Sequence, residues 1–196
     1  MKILLVGLLA ISPLVAPAQQ EPKKPDEETL RIQRLKTTMN DRFTAQGDAW
    51  FKDGHYLRVI ELYRVRAELY PQYETAWSDL SWMLFNVKDL DGQLSTAVKF
   101  KEQNPDLADA AFMEGNWYFQ KKAYLKTIEI LEPTIWMKPA PHPNSFRVLA
   151  QAYRRIGMLE HAIKVWKEQL RLYPDDPTAR ANLQRAEEEL KKKNGG

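Results

Sequence analysis

The clearest pattern of apolar and polar positions in the chain lies between residues 146 and 174. Two stretches there carry apolar residues at helical spacing, and Gly157 separates them. The apolar positions are Leu149, Ala150 and Tyr153 in the first stretch, and Leu159, Ala162, Ile163, Trp166 and Leu170 in the second. This predicts two amphipathic helices joined by a turn, the second ending at Tyr173-Pro174. A helical hairpin this short cannot bury its apolar faces alone, so we expect further copies that stack against it.

The chain repeats this pattern with a nearly constant period. Four prolines that each follow an amphipathic stretch are separated by 34, 34 and 35 residues, at Pro71, Pro105, Pro139 and Pro174. Counting back from each proline, a small residue occupies the same place in every unit, at Gly47, Ser81, Gly115 and Ala150. An aromatic residue or Leu follows three positions later, at Trp50, Leu84, Tyr118 and Tyr153. Four helix-turn-helix units are therefore predicted.

In these residues the chain resembles the tetratricopeptide repeat family. The second unit matches the family pattern at Trp77, Leu80, Ser81 and Pro105, and the fourth at Leu149, Ala150, Tyr153, Gly157, Ala162, Trp166 and Pro174. The resemblance implies an all-α, right-handed superhelical solenoid of four such units plus a C-terminal capping helix. The resemblance covers residues 40 to about 176, with units at about 40–73, 74–107, 108–142 and 143–176. With the preceding helix and the capping helix at 177–193, we expect one domain at residues 26–194.

The N-terminal helix, Pro133 and the contact between the two helices in the first three units depart from the family pattern. Residues 26–52 predict one long helix that begins at Asp26, and the alternative is a break near Thr37 to Asn40. Pro133 lies inside the second helix of the third unit and predicts a kink there. In the family, the helices of a unit pack closest at the twentieth residue of the repeat, where Ala is usual. The first three units carry other residues there, so we expect their second helices to pack more loosely. The residues at that position are Val59, Gln93 and Thr127.

The N-terminus has the pattern of a secretory signal peptide. An apolar run at residues 3–11 is followed by Ala16-Pro17-Ala18, whose alanines suit a signal peptidase. Residues 1–18 are predicted to be removed before Gln19, leaving a flexible linker at 19–25 and a periplasmic or secreted protein. The alternative is an uncleaved anchor, but a membrane span needs about 20 apolar residues and Pro13 and Pro17 interrupt this run. No Cys follows the run, which excludes a lipoprotein anchor.

Charge and composition argue against several classes of function. Lys plus Arg number 29 against 26 Asp plus Glu, so a net charge of +3 disfavours nucleic acid as a partner. Cysteine is absent, and the histidines His55, His142 and His161 are scattered along the chain. We therefore expect no cofactor, no metal site and no enzymatic activity.

The resemblance implies that first helices line a concave groove in which a partner segment binds. Its middle would be aromatic and its C-terminal end basic, with few acids opposite the arginines. The predicted groove residues are Trp82, Phe85, Phe112, Asn116, Phe119, Arg147, Gln151, Arg154, Arg155 and Arg185. Because Arg forks favour carboxylates, the partner is expected to be a protein or peptide with apolar and acidic side chains.

The sequence allows other roles for the aromatic residues and arginines of the predicted groove. Phe51, Phe85 and Phe119 could pack against neighbouring helices rather than face a ligand. The arginines could form a solvated charged face. The chain could also self-associate as a structural component of an envelope assembly, through the second helices of the first three units. The family's clamp for a C-terminal carboxylate is not supported, since Thr44 and Asp48 replace its Lys and Asn.

Overall fold

The computed structural model describes residues 26–195. These residues form α-helices and two short 3-10 helices, without a β-strand, so the prediction of an all-α fold is confirmed. The α-helices are α1 (Glu27–Lys52), α2 (Tyr56–Leu69), α3 (Glu74–Asn86), α4 (Leu90–Gln103), α5 (Phe112–Gln120), α6 (Tyr124–Leu131), α7 (Pro143–Arg155), α8 (Leu159–Leu172) and α9 (Pro177–Asn194). The 3-10 helices are Ala108–Ala111 and Thr134–Trp136. The predicted signal peptide and linker lie outside the described residues.

The described residues divide into two parts, residues 26–38 and residues 39–195. Within the first, the described residues 26–38 begin α1, and Asp26 caps that helix by accepting a 2.7 Å hydrogen bond from the Thr29 backbone N–H. The carboxyl pKa of Asp26 is lowered mainly by this backbone hydrogen bond. Since α1 extends without interruption to Lys52, the prediction of one long helix is confirmed and the proposed break is wrong.

Residues 39–195 form a stack of helix pairs. α3 packs on α4, α5 on α6, and α7 on α8, while α2 packs on α3 and α6 on α7 to join neighbouring pairs. α9 packs on α8 and ends the stack, as predicted for a capping helix. The apolar core consists of two clusters, one built on Trp77 and Phe100 and the other on Phe146 and Trp166.

The turn inside each pair has the same backbone geometry in all four units. One residue in the left-handed region ends each first helix, at Gly54, Lys88, Lys122 and Gly157, with φ of 77°, 65°, 61° and 77°. The following residue donates its backbone N–H to the carbonyl five positions earlier, at 2.8–3.0 Å in every unit. This is the Schellman ending of a helix, in which glycine is usual because it lacks a Cβ. The geometry recurs even where lysine replaces glycine.

Small residues on the first helices allow close contact with the second helices. A Cβ built on Gly47 would lie 2.7 Å from the Tyr63 ring, and one on Gly115 would lie 2.5 Å from Leu131 Cγ. Tyr63 and Leu131 occupy the same place in their units, sixteen residues after the glycine. Each of these helix pairs is thus built from a small residue covered by a large one.

The third unit departs from the prediction at Pro133. α6 ends at Leu131, and Pro133 precedes the 3-10 helix Thr134–Trp136. A proline has no backbone N–H to continue the α-helical ladder, so the helix ends there instead of bending. The predicted kink is therefore wrong.

The twentieth position is better packed than expected in two units. Val59 and Thr127 are fully buried, and the Thr127 hydroxyl donates to the Gly115 carbonyl at 3.3 Å across the helix pair. Gln93 of the second unit is only partly buried and lines a cleft. The expectation of loose packing thus fails for Val59 and Thr127, because a β-branched side chain fills the position, and it is met only at Gln93.

A buried guanidinium joins the first two helix pairs. Arg66 of α2 is 2% exposed and donates to Asp79 of α3 at 2.7 Å and to Asn40 of α1 at 2.9 Å. Its guanidinium carbon also lies 5.6 Å from the centre of the Tyr73 ring. Three helices are therefore held together by one buried, hydrogen-bonded charge.

Candidate partner-binding surface

Aromatic side chains of two neighbouring first helices meet at the surface of the stack. The ring centres of Phe51 on α1 and Trp82 on α3 lie 5.7 Å apart, and Phe51 also lies 5.4 Å from Tyr56. Phe85 follows Trp82 one turn later on α3 and is exposed. We call Phe51, Tyr56, Trp82 and Phe85 the aromatic surface. Phe51 thus contacts rings of neighbouring helices, as the alternative interpretation proposed, yet Phe51 and Phe85 both keep more than a third of their surface exposed, at 39% and 44%.

The two tryptophans of α3 lie on different faces of the helix, one buried and one exposed. Trp77 is 1% exposed, stacks on Phe100 with ring centres 5.7 Å apart, and donates its indole N–H to the Pro71 carbonyl at 3.0 Å. Trp82, five positions later, is 54% exposed. Trp82 therefore leaves a large apolar ring accessible from solvent, beside the exposed ring of Phe51.

The other predicted residues in the middle of the surface are partly buried. Phe119 lies with its ring 5.5 Å from Tyr124, so it packs against its own helix pair, as the alternative interpretation proposed. Phe112 and Asn116 line a cleft together with Ser81, the residue preceding Trp82. The structure therefore joins Phe112 and Asn116 in one cavity but assigns Phe119 a packing contact.

The basic end of the predicted groove is largely neutralised, in contrast to the expectation of few acids opposite. Arg147 donates to Asp176 at 2.6 Å, and Asp176 also caps α9 by accepting the Ala179 N–H at 3.0 Å. Burial acts to raise the pKa of the Asp176 carboxyl, but the hydrogen bonds from Ala179 and Arg147 outweigh it and lower that pKa. Arg147 is thereby engaged in holding α9 to α7.

Arg154 is paired in the same way. Its Nε donates to Glu189 Oε2 at 3.0 Å and its Nη2 to Glu189 Oε1, a two-bond fork to a carboxylate. This hydrogen bonding raises the pKa of Arg154 and lowers that of Glu189. Both acids come from α9 or its cap, so the capping helix supplies the negative charge that the sequence prediction overlooked.

Arg155 and Arg185 remain exposed, and no ion pair within residues 26–195 involves either. Gln151 is partly buried on α7. The accessible positive charge at this end therefore comes from two arginines of the predicted four.

A tetratricopeptide repeat model matches residues 143–186, which comprise the fourth unit and the start of α9. The chain contains a tetratricopeptide repeat. Its fold is that of tetratricopeptide proteins, since a crystal structure of MamA protein is similar with a TM-score of 0.58 at 18% identity, over 78% of this chain and 81% of that one. The recognition of the family from sequence is confirmed.

Two further solved structures share the tetratricopeptide fold. MamA from Desulfovibrio magneticus RS-1, starting at its residue 41, gives a TM-score of 0.55 at 16% identity, over 74% of this chain and 82% of that one. A thermophilic tetratricopeptide protein of Thermus thermophilus gives 0.53 at 19% identity, over 71% and 77%. At these identities the likeness shows the fold. No curated protein matches the chain.

The tetratricopeptide fold is typically a scaffold for protein–protein interaction rather than a catalytic fold. Among residues 26–195, no group of His, Asp and Glu side chains has the geometry to hold a metal ion. In the same part of the chain, no helix is long and apolar enough to cross a membrane.

Sequence reasoning missed two features of this surface. Tyr56 joins it from the first turn of α2, a position that a map of first helices does not include. The cleft beside Ser81 was also missed, although the small Ala97 at a place where other units carry Tyr63, Leu131 or Trp166 was a signal for it.

Proposed function

We propose that this tetratricopeptide protein is a scaffold that binds a partner protein through the aromatic surface. The observation that supports this most directly is the exposed Trp82, packed beside Phe51 from the neighbouring helix pair. Tryptophan and tyrosine are the residues that most often dominate binding energy at interfaces. An apolar segment of the partner would cover these rings, and its acidic side chains would approach Arg155 and Arg185.

Site-specific photo-crosslinking in the native cells would identify the partner. A photoreactive phenylalanine analogue replaces Trp82 in one variant and Trp136 in the other. Trp136 is a matched control, because it is a 48% exposed tryptophan that contacts Lys164, outside the aromatic surface. We expect a specific crosslinked protein from position 82 and not from position 136.

The captured partner then gives a quantitative test. Trp82→Ala should weaken its binding by about 2 kcal/mol, which is typical of a tryptophan hot spot, whereas Trp136→Ala should leave it unchanged. Equal binding by wild type and Trp82→Ala would show that the aromatic surface is not the binding site.

Self-association is a second candidate, and exposed apolar side chains on second helices favour it. Leu57 of α2 and Leu125 of α6 are 75% and 72% exposed, and Val65 and Leu69 of α2 are also exposed. In addition, an open cleft of about 520 Å³ lies between α1 and α2, lined by residues that include Met39, Phe43 and Leu62. Light scattering should show a concentration-dependent dimer that Leu57→Glu abolishes, and a monomer at all concentrations would exclude this candidate.

We further propose that the chain is exported, with cleavage before Gln19. The support is the sequence of residues 1–18, whose apolar run and alanines suit a signal peptidase. Mass spectrometry of the protein purified from its native cells should find Gln19 at the N-terminus. An intact N-terminus on protein from the cytosolic fraction would contradict the proposal.

A further inference from the structure

A cleft of about 100 Å³ lies between α3, α4 and α5, and its lining residue Met113 packs against the core cluster built on Trp77 and Phe100. Ala97 of α4 lies in this cleft and is fully buried, yet it belongs to neither cluster. Ala97 and Ser81, the residue before Trp82, therefore line an opening beside the packed core.

The cleft exists because the second repeat differs from the first and the third at two positions. In the first and third units, a large side chain covers the small residue of the first helix, as Tyr63 covers Gly47 and Leu131 covers Gly115. In the second unit the two equivalent residues are Ser81 and Ala97, and both line the cleft. Because neither is large enough to fill the space, the second unit keeps an opening that the first and third close.

One part of the lining is polar and uncharged, and Ala97, Phe112 and Met113 make the rest apolar. A hydroxyl and three carboxamides come from Ser81, Gln93, Asn116 and Gln120, and the indole of Trp117 completes that part of the wall. The indole nitrogen of Trp117 is buried and has no hydrogen-bond partner among residues 26–195. A buried N–H without an acceptor costs free energy, so the cleft favours a ligand that brings an acceptor.

We propose that this cleft receives an asparagine side chain of the partner that the aromatic surface binds. The inference rests on the proposed function and adds a specificity pocket to it. The volume equals about three water molecules, which suits a carboxamide and not an aromatic ring. Among residues 26–195 no charged side chain lines the cleft, and Lys121 Nζ lies 5.3 Å from the centre of the Trp117 ring. A carboxylate in the cleft would therefore lose its hydration without a directly paired cation in the lining.

Three capped tripeptides test the proposal, with Asn, Asp or Ala between two leucines. The leucines supply apolar contacts for the aromatic surface, and the central residue probes the cleft. We expect the Asn peptide to bind about tenfold more tightly than the Asp and Ala peptides, since a site built for hydrogen bonding rejects analogues that lack them. Its binding should shift the Trp117 indole proton resonance in a nuclear magnetic resonance titration.

Ala97→Leu closes the cleft with the side chain that the third unit carries at Leu131. We expect this variant to keep its thermal stability and to lose the preference for Asn. Ala181→Leu is the matched control, because Ala181 is exposed on α9 and the substitution is the same. Trp82→Ala should instead weaken all three peptides by a similar factor.

These outcomes separate the cleft from the aromatic surface. A wild-type protein with no preference for Asn, or a preference that Ala97→Leu leaves unchanged, overturns the asparagine pocket even if Trp82→Ala weakens binding. An Asn preference that persists while Trp82→Ala has no effect sustains the pocket and rejects the aromatic surface. If no peptide binds at about 10 mM, the pocket is also rejected.

Discussion

Substitution of Gly115 by Leu is the most direct test of how the helix pairs are packed. A Cβ on residue 115 would lie 2.5, 2.6 and 2.9 Å from the Cγ, Cδ2 and Cδ1 atoms of Leu131. Real Cβ atoms do not approach other carbons so closely, and Leu131 is fully buried in a close-packed core. The leucine carbons beyond Cβ would add to this overlap, so α5 and α6 must separate.

The expected loss of stability follows from two opposing effects. Overpacking a well-packed core costs about 1–3 kcal/mol, and the large overlap at Gly115 favours the upper end of that range. Replacement of a helical glycine by leucine returns somewhat less than about 1 kcal/mol through helix propensity. The net destabilisation should be about 2 kcal/mol. For a chain of this size that corresponds to a fall in melting temperature of roughly 4–8 °C.

Thermal unfolding followed by far-ultraviolet circular dichroism measures this change, with Ala181→Leu as the exposed control. Leu131→Ala in the Gly115→Leu background should recover part of the loss, since the smaller side chain makes room, and the two changes should therefore be strongly non-additive. An unchanged or raised melting temperature for Gly115→Leu, or simple additivity in the double variant, would refute the proposed contact.

Three further predictions concern turns, ion pairs and tryptophans. Lys88→Gly and Lys122→Gly should each stabilise the fold by about 0.5–1 kcal/mol in chemical denaturation, because glycine accepts positive φ without strain. Lys121→Gly is the control and should not stabilise the fold, because Lys121 has a φ of −81°. Because the folded-state pKa of Asp176 is lowered, its stabilisation is complete above the unfolded pKa of about 3.9 and is lost as the pH falls through the folded value. Asp176→Asn should lower the melting temperature at pH 7 and flatten its dependence on pH in the acid range, and an unchanged acid profile would contradict this assignment. Trp77→Ala should lower the free energy of unfolding by about 3–5 kcal/mol, whereas Trp82→Ala should change it by less than about 0.5 kcal/mol. Equal losses for the two variants in urea denaturation would show that Trp82 is a core residue.

The repeat and its helices could be predicted because they depend on local spacing. The period of the prolines and small residues placed the helix pairs correctly, and the resemblance supplied the role of each position. Two turns were harder to predict, since Lys88 and Lys122 adopt the left-handed conformation that glycine usually marks. There the Schellman hydrogen bonds and packing of the flanking helices override the preference of the residue itself.

The predicted basic face shows where sequence reasoning fails. Arg147, Arg154 and Arg155 were correctly placed on one helix, but the acids that partner two of them lie 29 and 35 residues later. Both acids are contributed by α9 or its cap, and the side of α9 that meets α7 depends on how the capping helix docks. That docking is a tertiary property, so the free charge on a repeat face cannot be counted from the repeat alone.

The aromatic surface could be predicted from the sequence of one helix, whereas the cleft depends on how two helices pack. Trp82 could be identified because an aromatic residue stood at a position that is usually polar, which is a signal within one helix. The cleft depends on two residues, Ser81 and Ala97, that are each ordinary in a helix. Only their pairing across α3 and α4, at a place where the first and third units carry a small residue under a large one, leaves space for a ligand. In repeat proteins, therefore, candidate pockets are best sought by comparing equivalent pairs of positions between units, rather than single positions along the chain.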